Sequence, residues 1–292
     1  RDTLETAGRY DRRIRILTER RRGIVRALNL GVTHAAAPLI ARMDADDEAF
    51  PDRLWRQEAA MRRRSELGAL GTAIVLVGPD GTEQTVRLPT DPLEIRTRLR
   101  SPDRFFVLAH PTAMMRASIV RKVGGYRPAF AHAEDYDLWL RISERASISN
   151  LTAPLLRYDM TAMNKRSYRY RLEQVMAVAT AKWSARLRRA RLPDPFAQAQ
   201  QVLDDDEIDG ALGPRRKFFW LDYLFLVSTQ PFTERERARR IAEILFRLPR
   251  RESAQLARHL GSTPWSHFAQ LSLLAASRGS PLPAWMRGRL EA

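Results

Sequence analysis

Leu39-Ile-Ala-Arg-Met43, followed at once by Asp44-Ala-Asp-Asp47, joins a short apolar run to a dense acidic one. The apolar run reads as a buried β-strand. The carboxyl end of a central strand in an open α/β sheet is where ligands bind. In extended geometry Asp44 and Asp46 point the same way. Two carboxylates held together repel, and a divalent cation between them and a diphosphate offsets that repulsion. Hard oxygen ligands favour Mg²⁺ or Mn²⁺. A solvated acidic turn that caps the next helix is the plainer alternative. An EF-hand is excluded, because its sixth position would be Ala49 instead of Gly and its twelfth Trp55 instead of Glu.

The segments around this stretch alternate in period. Upstream, Arg13 to Leu17 reads as a short strand. Ile24, Leu28, Val32 and Ala35 recur at helical spacing, and Pro38 ends that helix. Downstream, Pro51 opens a helix over 52–64. Ala69 to Val77 is a strongly apolar strand, Gly78-Pro79-Asp80-Gly81 a turn, and Glu83 to Leu88 a return strand. Residues 13–88 therefore read β-α-β-α-β-β, the pattern of a layered α/β sheet. Residues 89–104 read as a loop with a short helix, Ala113 to Met115 as a strand, and Ser118 to Val123 as a helix closed by Gly124-Gly125. Asp135 to Ser143 is helical and Ile148 to Leu156 extended. Beyond about residue 165, Arg/Leu/Ala segments broken at Pro193-Asp194-Pro195 and over 210–214 predict a mainly helical region.

A second acidic group, Glu134-Asp135-Tyr136-Asp137, lies at the mouth of the 135–143 helix. The helix dipole and free N–H groups stabilise a carboxylate there. That accounts for one acid better than for three. The functional reading is a general base that takes a proton from an attacking hydroxyl. His132-Ala-Glu134 matches the H-x-E of zinc deaminases, but that chemistry needs a cysteine pair, and the chain has no cysteine.

The 292 residues carry 50 basic and 34 acidic side chains, a formal charge of +16. Such a balance suits nucleic acid, an anionic membrane surface or a phosphorylated substrate. The lysines are Lys122, Lys165, Lys182 and Lys217, and the arginines are spread along the chain instead of gathered in one block. That favours a surface composition bias over a nucleic-acid site, and no nucleic-acid motif is present. With 44% apolar residues the chain can fill a core. Lacking cysteine, it has neither disulfides nor thiolate metal sites. No apolar run approaches the roughly 20 residues that span a bilayer. Arg215-Arg216-Lys217-Phe218-Phe219-Trp220 suits either a helix packed on the domain or a membrane-surface helix; packing is the commoner case. Asp204 to Glu207 reads as a solvated helix start.

Taken in order, the two acidic groups and their flanks resemble glycosyltransferase family 2. The matching stretches are RRGIVRALNLGVTHAAAPLIARMDADDEAFPDRLWRQ (Arg21 to Gln57), HPTAMMRASIVRKVGGYRPAFAHAEDYDLWLRI (His110 to Ile142) and NLTAPLLRY (Asn150 to Tyr158), with RRARLPDPF (Arg188 to Phe196) as a helical continuation. The resemblance implies an α/β fold of the GT-A kind, a Rossmann-like mixed sheet flanked by helices. It is expected to be incomplete at its N-terminus and followed by a mainly helical C-terminal region. A catalytic domain over 1–164 and a helical region over 165–292 follow.

The implied activity is inverting transfer of a sugar from a nucleotide-diphosphate sugar to an acceptor hydroxyl, of the kind used in polysaccharide biosynthesis. The implied roles follow the motif: Asp44 near the ribose, Asp46 on a Mg²⁺ or Mn²⁺ that bridges the diphosphate, and Asp47 supporting the loop. Asp135 is the implied base, oriented by Glu134. Arg22, Gly23 and Asn29 fall beside the nucleotide, and His110 and Trp139 on the acceptor side, unless they are a capping histidine and a core tryptophan.

Two departures bear on this reading. The family's opening strand, its P-x-Y-N-like turn and its V-D-D-G-S-like strand end do not precede Arg1, so the chain is expected to lack its first strands and part of the nucleotide pocket. Many relatives also place a His after the last strand, where it can reach the metal; this chain has Asp159-Met160 there, and Asp159 or water could substitute as an oxygen ligand. Saccharide, lipid-linked and protein acceptors all stay open, as does peripheral membrane contact. The expected place is the cytoplasm or the inner face of the membrane, without nucleic acid. A non-catalytic sugar-binding relative is the main alternative, and a basic nucleic-acid-binding protein a lesser one.

Overall fold

The computed structural model describes residues 11, 13–19, 23–101, 106–161 and 167–229, with single positions at 233, 236, 240, 241, 243 and 244. These fall into two compact units, one within residues 1–100, 106–165 and 199–202, the other within 101–105, 166–198 and 203–292.

The first unit is built on a mixed sheet. Its described strands are β1 (Leu39–Ala41), β2 (Glu48–Ala49), β3 (Leu67–Val77), β4 (Glu83–Val86), β5 (Met114–Arg116) and β6 (Ser147–Asp159). They order as β1-β5-β3-β6-β2, with β4 also paired to β3. β3 and β6 run parallel, and the other pairs are antiparallel. β3 is buried through its first nine residues, which explains why it reads as a continuous apolar run and does not alternate. The β3–β6 register slips where Ala73 faces Pro154. A proline has no N–H to give the ladder, so an irregularity belongs there.

Helices cover the sheet: α1 (Ile24–His34), α2 (Arg53–Arg63), α3 (Pro92–Arg100), α4 (Ala117–Lys122) and α5 (Glu134–Ser143). Met61 of α2 packs with Leu67, Leu70 and Met114, against Leu39 and Leu151. A second cluster joins Ile74, Leu88, Ala109 and Leu156. α4 ends where Gly124 and Gly125 adopt φ of 84° and 64°, and the amide of Asn29 clasps the following residue on both sides. Its Nδ2 donates to Tyr126 O at 2.7 Å, and its Oδ1 accepts from Tyr126 N at 2.8 Å.

Two expectations change. Arg13 to Leu17 is not a strand: Ile14, Ile16 and Leu17 are exposed, and no described strand pairs with them. Alternating apolar residues make a strand only where a ladder partner exists. The strand expected over Leu39–Met43 stops at Ala41. Its partner β5 is preceded by a 3₁₀ turn, His110–Thr112, so the last rung is Arg42 N to Ala113 O at 2.8 Å. The acids that follow sit in a turn and not in extended chain.

In the second unit α6 (Tyr168–Arg189), α7 (Asp205–Leu212) and α8 (Arg216–Thr229) are helical. Asp204 caps α7 through a reciprocal pair with Glu207, so this acidic run is a helix start. Phe219, Trp220 and Tyr223 of α8 are buried and stack among themselves and against Trp183 of α6. The Trp183 indole donates to Asp222 and that of Trp220 to Asp209. This is the arrangement of a packed helix. Among the described residues no helix is long and apolar enough to cross a membrane.

Candidate active site

The turn after β1 is held from below. Arg53, at the start of α2, is buried and donates through Nη2 to Arg42 O at 2.6 Å. Its Nε donates to Gln57 Oε1 at 3.1 Å. Gln57, one turn on, donates to both Leu70 O and Thr112 O at 2.8 Å. A buried Arg–Gln pair therefore ties α2 to the loop, to β3 and to the 3₁₀ turn ahead of β5. On the far side β2 pairs with β6, and Phe50 N reaches Leu155 O at 3.1 Å.

Between these anchors Asp44, Asp46 and Asp47 each offer a carboxylate oxygen within 4.8 Å of the others. Asp46 is exposed and the other two are half-buried. Asp47 Oδ1 accepts from the backbone N–H of Asp159, at the end of β6, at 3.1 Å. Its Oδ2 is buried without a hydrogen-bond partner. Burial pushes the Asp47 carboxyl up to about 6, and the charges of Asp44 and Asp46 add to the rise against the Asp159 N–H. An orphaned buried oxygen beside two more carboxylates fits a hard divalent cation.

The second acidic group lies at the N-terminus of α5. Glu134 is nearly buried, while Asp135 keeps part of its surface open. Crowding by protein pushes the Asp135 carboxyl up to about 7, helped by the neighbouring Glu134 charge; the N–H of Tyr136, 2.7 Å from Oδ1, and the charge of Arg42 oppose the rise. Glu134 is raised too, first by burial. Asp137, the third acid of the run, is committed elsewhere. It is fully buried between Arg127 and Arg141, with Arg141 Nη2 at 2.6 Å from Oδ2. Burial alone would raise it, but the two guanidinium groups outweigh burial and hold it low.

Arg42, which the sequence reading passed over, connects the two groups. Its guanidinium grips both oxygens of Asp44, with Nη1 at 2.5 Å from Oδ2. The same charge acts on Glu134 and Asp135, and Asp44 in turn acts on Glu134. The two acidic groups therefore share one electrostatic neighbourhood. A signal existed in the sequence, since Arg42 immediately precedes Met43-Asp44, yet an arginine has little contrast in a chain this rich in them.

The remaining expected residues are distributed differently. Gly23 precedes α1 with φ of 129°, and among the described residues nothing lies within 4 Å of where a Cβ would stand. Asn29 engages Tyr126 with both ends of its amide. Arg22 lies outside the described residues. His110 is buried, with Nε2 2.9 Å from Tyr126 Oη and its ring edge-on to Trp139. Burial holds the imidazole well below its usual pKa, with the Arg42 charge adding to the fall, so it is neutral. Trp139 is buried in α5.

Against this geometry stand the chain's likenesses. The Glycosyl transferase family 2 model matches residues 1–124. The putative glycosyltransferase EpsE of Bacillus subtilis is 32% identical over 193 residues, 64% of this chain and 66% of that protein. The O-antigen biosynthesis glycosyltransferase WbnJ of Escherichia coli is 37% identical over 152 residues, 51% of this chain and 58% of that one. Each match spans less than two thirds of the relative's own length. The crystal structure of S. aureus TarS 1-349 aligns with all of this chain and 78% of that one, with a TM-score of 0.52 at 15% identity. That likeness concerns the fold, a GT-A-type mixed sheet flanked by helices.

Proposed function

Residues 1–124 place this chain in glycosyltransferase family 2, and from that premise we propose that it transfers a sugar from a nucleotide-diphosphate sugar to an acceptor hydroxyl with inversion. One observation supports the reading above the others: an open cluster of three carboxylates shares Arg42 with a separate carboxyl whose pKa is pushed up to about 7. The first suits a cation on a diphosphate; the second suits a base poised near neutral pH.

The proposed roles follow. Asp46, exposed, and Asp44 would hold Mg²⁺ or Mn²⁺, with Asp47 and its orphaned oxygen behind them. When bound, such a cation neutralises charge growing on the leaving diphosphate. Asp135 takes the proton of the acceptor hydroxyl as that oxygen attacks the anomeric carbon from the face opposite the diphosphate. Glu134 keeps a second charge beside it, which favours proton uptake. Asp159 supports the cluster through its backbone N–H to Asp47. The catalytic domain is read as residues 1–164, with 165–292 as a helical companion. WbnJ is named for O-antigen biosynthesis, and a saccharide acceptor is the reading adopted here.

Transfer from a panel of nucleotide sugars tests this. Asp135→Asn should lower kcat by about 10²–10⁴-fold, the usual worth of a general base, with donor affinity unchanged. Proton NMR of the product should show the anomeric configuration inverted. Retention of configuration, or an active Asp135→Asn, would defeat the reading.

A further inference from the structure

Arg42 has its backbone fixed at both ends, by Ala113 O on its N–H and by Arg53 on its carbonyl. Its guanidinium is the part that can move. That group sits on Asp44 as a fork across both oxygens, with the Arg42 side chain 10% exposed and that of Asp44 36% exposed. A forked pair takes the carboxylate in the plane a cation would approach. A dication on Asp44 would also stand against a like charge in a partly dehydrated setting, where repulsion is little screened.

We propose that Arg42 is a resident counter-charge on Asp44, which a divalent cation displaces when it binds. This rests on reading Asp44, Asp46 and Asp47 as a cation site. The displaced guanidinium has a second place to go. Among the described residues Glu134 and Asp135 are in no ion pair, and both already lie in its field. Cation binding at one acidic group thereby hands a positive charge to the other.

The test is calorimetric titration of the full chain with Mn²⁺ alone, without donor. Arg42→Gln removes the charge and keeps a hydrogen-bonding side chain. It should bind Mn²⁺ about fivefold more tightly than the wild type, the worth of a partly exposed ion pair. Arg42→Lys, which cannot fork, should fall between the two. Asp46→Asn should lose binding. Equal or weaker binding by Arg42→Gln, with Asp46→Asn still defective, would overturn the inference and leave the cation site standing. Binding indifferent to Asp46→Asn, or absent from every variant, would remove the site and the inference together. Should the Arg42 variants misfold, ¹⁵N-labelled arginine in the wild type decides: the Arg42 Nε–H signal should shift along the Mg²⁺ saturation curve. A signal that stays put overturns the proposal.

Discussion

Asp135 carries its proton further up the pH scale than an ordinary carboxyl, and both its chemistry and its stability should show it. In its proposed role as base it must be ionised, so kcat/KM should fall tenfold per pH unit below about 7 and level off above. The stability sign is opposite. Its folded pKa, about 7, lies above the ordinary 3.8, so the folded chain binds this proton more tightly than the unfolded chain does. The stability gained is complete below about pH 4 and is lost as pH rises through 7. Asp135→Asn should therefore raise Tm at pH 8 and leave it nearly unchanged at pH 4, measured by scanning calorimetry. Asp137 differs although it lies in the same helical turn. Asp137→Asn would leave two arginines beside a fully buried, uncharged partner. A loss of about 3 kcal/mol in urea unfolding is expected. The sequence displayed both acids equally. What separates a poised carboxyl from a paired one is the placement of Arg127 and Arg141, and only folding supplies that.

At the level of elements, β3 and α5 were legible because each buries apolar side chains; the largely exposed β4 was marked by the Gly78-Pro79-Asp80-Gly81 turn before it, and α2 by Pro51. The edges were less legible. β1 is cut short by the turn ahead of its partner, which no feature of Leu39–Met43 itself reveals. Side chains packed over β3 leave Gly71 no room for a methyl group. A Cβ there would collide with Asn150 Oδ1 and come 2.7 Å from Leu108 and 3.1 Å from Thr112 Oγ1. Gly71→Ala should cost about 1–3 kcal/mol as overpacking, read as a lower urea midpoint with the m-value unchanged. Asn29 has a structural task that the motif did not disclose: both ends of its amide hold Tyr126, next to a glycine at φ 64°.

Over the whole molecule the arginine excess acquires a use that composition could not disclose. Arg116 caps Met61 O, Arg64 O and Leu67 O, and Arg121 holds Val32 O and Ala35 O at the end of α1. Arg141 reaches Val123 O. A planar fork of donors closes off loose carbonyls where helices end, which lysine does poorly. Part of the positive charge is thus invested in architecture. Within the second unit, order depends on aromatic contacts. Trp220→Ala should cost about 3–5 kcal/mol there and speed amide hydrogen exchange across α6 and α8; unchanged exchange would show that the ring cluster is dispensable.

The hydrogen bond from Asp159 N to Asp47 joins residues 112 positions apart, and β6, which carries it, is the last strand of the sheet among the described residues. During synthesis the acidic loop is made early and waits for its support. Until β6 has been translated and has docked beside β3, Asp47 lacks the N–H that fixes it. On the proposed cation site, a nascent chain stopped short of residue 159 should hold a partial sheet and bind Mn²⁺ more weakly than the full chain in a calorimetric titration, so that the grip on a donor would mature late.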